Sequence, residues 1–492
     1  MRVKASFISL FLFSVLAIAS APYSGAQTEN SRAVTTTQIA AWLTGGVTSS
    51  RLAQIVKDRG LGYLPIHAEL RQLESLGADK DLIAVLSSGN AESAKIGPQI
   101  PDALLEAAAE ARHEQYHSAE LELRKIVDAG SNDPAIHFAL GVMLRQQEQW
   151  DDADDEFNLT LRLMPDLPEN HSALAYLFYR IDDGPNAIAE ARTALSIDPQ
   201  NAEAYQYLGL GQYSLGDYQA AIHAYTESLL RDRDNADTYY DMGIALYAAG
   251  NLPRAIAAYE KAIQLRPSFW EAHSNLALIR HEEGNFPAAV AEYREAKRIA
   301  PDEASVRNNL GNTYCDEGKF DAAIAEMKEL YREHPEWQQG HSCLASAYMA
   351  KNNYDAAVDQ LRLAVLHNPE GAAEHRTLGQ ALMLDNKPDE ALHELRIAVE
   401  LNPDSDVAHH LLGTVLFQQQ QFAAAEKEFR EALRVNASAD NHYSLAACLM
   451  SLDRYQEALA ELEVAAQLDP ERQLYRARRE ELLKLMKNTS TR

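Results

Sequence analysis

The sequence predicts an all-α protein, a right-handed α-solenoid of about eleven helix–turn–helix repeats of 34 residues each, preceded by a small helical module. Two columns of small residues predict this fold, because a fixed period of this length marks a stacked array of repeats. Alanine recurs every 34 residues from Ala119 to Ala425 and then at Ala458. A second column runs twelve residues ahead of it, from Ala107 to Ala446, and holds only glycine or alanine.

Each repeat is predicted to contain two helices joined by a short turn. The two small columns are expected where the paired helices cross, because larger side chains would push the backbones apart. The turn column holds residues that tolerate a left-handed backbone at a helix end, namely Gly216, Gly250, Gly284, Gly318, Asn352, Asn386 and Asp453. Proline disfavours helix before it and so ends the second helix, as at Pro165, Pro199 and Pro267.

These columns resemble the tetratricopeptide repeat family. Residues 202–232 and 271–302 match its motif closely, and the resemblance covers residues 100–471 as eleven units. The first unit departs from the motif, since it has Glu106 where leucine is expected and lacks the closing proline. The resemblance implies paired helices, with the first helix of each pair lining a concave groove, and the family's shared activity of binding other proteins.

Residues 1–26 are predicted to be a secretory signal peptide. Arg2 and Lys4 form a basic start, residues 7–19 are predominantly apolar, and small residues precede a cut before Gln27. The alternative is an uncleaved anchor, but the apolar stretch is short for a membrane span of about 20 residues. The chain is therefore expected in a bacterial periplasm or secreted, with no membrane insertion beyond this segment.

Three further segments flank the array. Residues 36–88 are predicted to be a small four-helix module, residues 89–99 a linker, and residues 472–487 a helix that caps the last repeat. Glycines provide the helix stops in the module. The predicted module helices cover 37–44, 50–59, 67–76 and 80–86. A module of this size is marginal alone, so docking onto the array is expected.

Charge and cysteine content exclude some classes of protein. The net charge of −27 predicts repulsion from nucleic acid phosphates, so no nucleic acid partner is expected.

The three cysteines are Cys315, Cys343 and Cys448. Cys315 and Cys343 are predicted at different heights on neighbouring first helices, and a disulfide needs Cα atoms within about 7 Å. All three are therefore expected to be small buried residues without a bridge.

Two histidine patterns raise the possibility of a metal site. Residues 113–117 match the H-E-x-x-H motif, which on a continuous helix places two histidines for zinc. In the repeat frame Glu114 falls in a turn, so the helix is expected to break and separate His113 from His117.

A column of histidines also recurs at His137, His171, His273, His341, His375, His409 and His442. It is interpreted as a half-buried packing position, because adjacent first helices about 8–10 Å apart would barely bring two rings to one ion.

The favoured function is an exported scaffold that binds a protein or peptide in its groove, without catalysis, cofactor or metal. The resemblance implies groove residues at unit positions 2, 5, 9, 12 and 13. The candidate binding residues are Tyr176, Tyr179, Arg180, Tyr213, Tyr240, Tyr247, Asn308, Asn312 and Arg376. One alternative is a zinc-dependent peptidase or hydrolase that uses His113–His117. Another is the repeat arm of a glycosyltransferase, suggested by Asn275 and Asn309 at the family's inner asparagine position.

Overall fold

The computed structural model describes residues 33–88 and 97–489. The predicted signal peptide and most of the predicted linker lie outside these residues. The described chain forms 27 α-helices and no β-strand, apart from an isolated bridge between Val34 and Leu61. The predicted all-α fold is confirmed.

The chain divides into two compact bodies, Met1–Arg233 and Asp234–Arg492. The first body begins with the module helices α1 (Thr36–Thr44), α2 (Ser49–Arg59), α3 (His67–Ser75) and α4 (Lys80–Ser88). Four hairpins follow, formed by α5 (Asp102–Arg112), α6 (Tyr116–Asp128), α7 (Pro134–Gln146), α8 (Trp150–Leu163), α9 (Pro168–Arg180), α10 (Gly184–Ile197), α11 (Ala202–Ser214) and α12 (Tyr218–Arg231). Odd-numbered helices from α5 to α25 are the first helices of their repeats.

The second body contains seven hairpins and one final helix. Its helices are α13 (Ala236–Ala248), α14 (Leu252–Leu265), α15 (Trp270–Glu282), α16 (Phe286–Ile299), α17 (Ala304–Asp316), α18 (Phe320–Glu333), α19 (His341–Ala350), α20 (Tyr354–His367), α21 (Ala372–Leu384), α22 (Pro388–Leu401), α23 (Asp406–Gln418), α24 (Phe422–Val435), α25 (Ala439–Ser451), α26 (Tyr455–Leu468) and α27 (Gln473–Thr489). The last helix, α27, buries Tyr475 and Leu482 completely. Stacked hairpins of this kind form an α-solenoid.

The glycine of a first helix packs under a large side chain of the same repeat, sixteen residues later. A Cβ atom added at Gly243 would lie 2.6 Å from the ring of Tyr259, and one at Gly413 would lie 2.8 Å from the ring of Phe429. Both rings are almost completely buried. These positions are thus small because the second helix inserts a large side chain at the crossing, a ring in four repeats and Met327 or Leu395 in two.

The first body joins the module to the array through one hydrophobic core. Helix α1 packs on α5 and α7. A Cβ atom added at Gly45 would lie 2.9 Å from the ring of Phe138, which shows how closely the module approaches the first helix α7. Two ion pairs fix the edge of this contact, with Arg51 Nε 2.6 Å from Glu169 Oε1 and Arg59 Nη2 3.0 Å from Asp166 Oδ2.

Cys315 and Cys343 form a disulfide with Cα atoms 6.1 Å apart, so the prediction of no bridge is wrong for this pair. The prediction assumed that neighbouring first helices lie at the same height. Cys315, near the end of α17, would then be far from Cys343, near the start of α19. In the structure they are staggered, because Cys343 Sγ lies 3.5 Å from the carbonyl oxygen of Gly311, at the C-terminal half of α17. The start of α19 therefore meets the end of α17. Cys448 is free and buried, as expected, and burial raises the pKa of its thiol to about 11.

Candidate functional site: the groove face of the first helices

The groove face comprises the residues at positions 2, 5, 9, 12 and 13 of the first helices. In the first body, Tyr176 and Tyr179 are half-buried on α9, and Arg180 is exposed at its end. Arg180 Nη1 donates to the Tyr176 hydroxyl at 3.1 Å, and the guanidinium lies 4.9 Å from the centroid of the Trp150 ring. Tyr213, on α11, is also half-buried, with its ring centroid 5.5 Å from that of Tyr218.

Arg180 already has a carboxylate partner. Its Nη2 lies 3.3 Å from Glu148 Oε1, which belongs to the turn of the preceding repeat. Both side chains are well exposed, with 38% and 68% of their surfaces accessible, so the pair is weak and exchangeable.

In the second body, Tyr240 and Tyr247 are half-buried on α13. The Tyr240 ring packs against Phe269 at 4.7 Å between centroids, and Asn275 Nδ2 donates to its hydroxyl at 3.3 Å. The Tyr247 hydroxyl donates to Glu282 Oε1 at 2.5 Å, and this hydrogen bond raises the pKa of Tyr247. The two rings thus combine contacts to the next repeat with accessible surface.

Three polar candidates lie further along the second body. Asn312 and Arg376 are half-buried on α17 and α21. Asn308 is only 5% exposed, so its expected exposure on the groove face is wrong. The backbone at Gly340 covers it, since a Cβ atom there would lie 2.6 Å from Asn308 Oδ1. The Asn308 side chain is thus not available to a partner in this conformation.

The histidine column forms a repeated hydrogen-bonded pair that the sequence interpretation missed. Six of its members place Nδ1 within 2.5–2.7 Å of a glutamate on the second helix of the same repeat, nineteen residues later. These pairs are His137–Glu156, His171–Glu190, His273–Glu292, His375–Glu394, His409–Glu428 and His442–Glu461. Six of the seven histidines of the column are buried, at most 7% exposed, so the prediction of a half-buried position is wrong for them. The position is also a polar junction between the two helices.

The ring environment favours the charged form of two of these histidines. In His171, Nε2 donates to the carbonyl of Pro165 at 3.1 Å, so both ring nitrogens face acceptors. Burial disfavours the charge on His171, but the Glu190 carboxylate and the Pro165 carbonyl outweigh burial and raise its pKa. For His273 the hydrogen bond to Glu292 is the largest effect, and the pKa of His273 is also raised.

His341 is the exception in the column. Its Nδ1 faces Gln360 Oε1 at 3.0 Å, so the neighbouring side chain carries no charge. The ring stacks on Tyr331 at 4.5 Å and on His367 at 5.6 Å between centroids. Burial is the main cause that lowers the pKa of His341.

A signal for these pairs was present in the sequence. Glutamate stands nineteen residues after six of the column's histidines, whereas alanine, at Ala224 and Ala258, stands nineteen residues after the tyrosines Tyr205 and Tyr239 of the same column. In these eight repeats the glutamate accompanies histidine and is missing beside tyrosine, as expected for side chains in contact. The first repeat departs from this rule, since Ala103 in the same column is followed by Glu122. Comparing the repeats of the chain with one another would have found the contact.

The residues of the H-E-x-x-H motif lie across a helix break. Helix α5 ends at Arg112 and α6 begins at Tyr116, and Glu114 between them has a φ of 59°. The predicted break is confirmed. His117 instead lies 3.4 Å from Glu120 Oε2. Among residues 33–88 and 97–489, no three His, Cys, Asp or Glu side chains gather in a geometry that could hold a metal ion.

None of the helices within residues 33–88 and 97–489 is long and apolar enough to cross a membrane.

Comparison with protein families gives repeated matches. Models described as tetratricopeptide repeat match residues 104–168, 212–259, 240–304, 308–365 and 343–406. A model described as subunit 3 of the anaphase-promoting complex, or cyclosome, matches residues 386–465. The comparison with curated proteins found no match. Together, the repeat models span more than half of the 492 residues.

Solved structures of several proteins are similar to this chain. The crystal structure of MamA is 27% identical, covering 34% of this chain and 97% of MamA, with a TM-score of 0.30. Yeast Tom70 is 15% identical, covering 78% of this chain and 94% of Tom70, with a TM-score of 0.34. One chain of the Cut9–Hcn1 hetero-tetramer of the APC/C is 13% identical to this chain. The match covers 86% of this chain and 93% of that one, with a TM-score of 0.40.

Proposed function

Because the chain belongs to the tetratricopeptide repeat family, we propose that it is an exported scaffold that binds a protein or peptide partner on its groove face. The observation that carries this proposal is the set of half-buried tyrosines on the first helices. Tyr213, Tyr240 and Tyr247 are each partly accessible to solvent. The packing positions beside them are already filled by residues such as Gly209 and Gly243. Accessible rings with a polar tip are the anchors that protein interfaces use most.

The experiment compares two pairs of tyrosine variants. Mature protein is used to capture partners from the exported fraction of the source cells, and the captured partner is then titrated against each variant. Changing Tyr240 and Tyr247 together to alanine should weaken binding by more than about 2 kcal/mol if they are hot spots. Tyr354→Ala with Tyr455→Ala is the matched control, because these tyrosines begin the second helices α20 and α26.

Two outcomes would contradict this assignment. Unfolding of the Tyr240/Tyr247 variant, seen by circular dichroism, would assign both rings to the core between repeats. Full binding by a folded variant would assign the partner to another surface.

Export is part of the proposal. Its supports are the basic and apolar residues of 1–26 and the Cys315–Cys343 disulfide, because disulfides persist mainly in oxidising compartments. Intact-mass measurement of protein from the source cell should show a chain that begins near Gln27. Alkylation of the denatured, unreduced protein should modify one cysteine, Cys448. A chain that retains residues 1–26, or three reactive thiols, would contradict export with cleavage.

A further inference from the structure

A cavity of about 320 Å³ lies in the first body, between the helical module and the groove face of the first repeats. Part of its wall is apolar and is formed by Leu43 and Val47 of the module and by Phe138 and Val142 of α7. The volume is at the lower end of the range of small-molecule sites, about 300–1,000 Å³. A ligand that fits this cavity is therefore a small molecule with an apolar body.

Arg145 lines the cavity from the last turn of α7 and is half-buried. Its guanidinium lies 5.2 Å from the centroid of the Tyr176 ring and faces the Tyr207 hydroxyl, a hydrogen-bond acceptor. Within residues 33–88 and 97–489, no carboxylate forms an ion pair with it. Those of its nitrogens that make no hydrogen bond keep accessible surface. Because a guanidinium carries five N–H donors, Arg145 has donors left for a ligand.

A second guanidinium, that of Arg112 at the end of α5, lies on the same wall and is exposed. Its Nη1 donates to the carbonyl of Ser75, and its Nε donates to the carbonyl of Ala108 at 3.4 Å. Its Nη2 makes no hydrogen bond or ion pair with the described part of the chain. The cavity wall thus carries two positive charges that no carboxylate of the protein neutralises by direct contact.

The acidic residues of the wall are Glu169 and Glu203. Glu169 is paired with Arg51, whose Nε lies 2.6 Å from its Oε1, and its Oε2 is buried and so does not face the cavity. Glu203 accepts from the Tyr207 hydroxyl at 2.7 Å. The open charges of the wall are therefore two guanidiniums and one carboxylate, so a ligand with a single negative charge would balance them.

We propose that this cavity binds a small monocarboxylic acid with an apolar body. Its carboxylate would accept hydrogen bonds from Arg145, with Arg112 as the second positive charge, and its body would pack on Leu43, Phe138 and Val142. Arginine suits this role, because its planar guanidinium can donate two parallel hydrogen bonds to one carboxylate. An organic amine is disfavoured, because it would bring a third positive charge to the wall. The site goes beyond the proposed partner surface and needs no protein partner.

The test titrates the mature full-length chain by calorimetry, near neutral pH, with 3-phenylpropionate and hexanoate, each beside its neutral amide, and with 2-phenylethylamine. At least one acid should bind saturably and its amide at least about tenfold more weakly, because a hydrogen bond to a charged group contributes about one to two powers of ten in affinity. The amine should not bind measurably. Absence of saturable binding by both acids up to their solubility limits, or an amide or amine that binds as tightly as the acid, would overturn the proposal.

Variants locate the binding. Arg145→Gln should weaken acid binding at least about tenfold. Arg180→Gln is the matched control and should leave acid binding unchanged, because Arg180 also flanks the Tyr176 ring but does not line the cavity. If circular dichroism shows that Arg145→Gln loosens the fold, Ala111→Leu tests the same site, since Ala111 is half-buried and lines the cavity. Acid binding that survives in both variants, or that Arg180→Gln weakens as much as Arg145→Gln does, would overturn the proposal.

Discussion

At the residue scale, one position in every repeat needs a left-handed backbone. Four repeats place glycine there, with φ from 73° at Gly284 to 79° at Gly216. Seven others place a residue with a side chain in the same conformation, including Glu148 at 58° and Gln420 at 61°. A left-handed backbone costs an L-residue roughly 1–2 kcal/mol, so these repeats fold despite a local strain.

Gln420→Gly should stabilise the protein because it relieves this strain. The gain should stay below about 1 kcal/mol, because glycine loses more chain entropy on folding than glutamine and so offsets part of it. Urea denaturation followed by circular dichroism measures the change. Gln419→Gly is the matched control, because Gln419 has a φ of −80° and gains nothing from glycine. Equal effects of the two substitutions would show that the backbone at residue 420 is not strained.

At the element scale, the histidine–glutamate pairs join the two helices of a single repeat. His171 is 7% exposed at its side chain and Glu190 is 25% exposed, so the pair is largely shielded from solvent. Because the folded pKa of His171 is raised, its contribution to stability is fully present below the unfolded value of about 6.5 and is lost as pH rises through the folded value. His341, whose pKa is lowered, has the opposite dependence, so its contribution is lost as pH falls from about 6.5 through its folded value.

Exchanging the side chains that face His171 and His341 should reverse the direction in which each pKa is shifted. Gln360→Glu should raise the pKa of His341, and Glu190→Gln should lower the pKa of His171, because a carboxylate favours the charged ring and an amide does not. Histidine ring signals followed by NMR between about pH 5 and 8 measure both changes. His273, whose partner is untouched, serves as the internal control. An unchanged His341 titration in Gln360→Glu would show that a carboxylate at residue 360 does not favour the charged ring.

At the scale of the whole molecule, the first body contains the helical module, which is docked on the repeats. The module and the first three repeats share a single hydrophobic core, in which Trp42 and Ile39 are completely buried. A module of fewer than 60 residues is marginal by itself. Its stability therefore depends on the repeats.

Gly45→Val should weaken this docking, because Cβ at residue 45 would meet the Phe138 ring at 2.9 Å. Hydrogen exchange of α1 measures the effect and should become faster while exchange in α25 stays unchanged. Gly62→Val is the matched control, since its Cβ would meet only the Val34 carbonyl oxygen, at 3.8 Å. Equal protection of α1 in both variants would show that the module adapts at Gly45.

The period of the sequence predicted most of the fold, because each hairpin repeats the same local contacts. The module helices also lie within one or two residues of their predicted bounds. The errors come from contacts between repeats. Helix α19 starts at His341 after a left-handed Gly340 with φ 90°, and this irregular segment buries Asn308. The Cys315–Cys343 bridge depends on the stagger of adjacent helices, which a repeat period does not encode.

The spacing of nineteen residues between each histidine and its glutamate has a consequence for how such a chain can change. Both partners of a pair lie on one hairpin, so duplication of a repeat copies a complete pair, and deletion removes a complete pair. Gain or loss of whole repeats would then change the number of these junctions. Each remaining hairpin would keep both partners of its own pair.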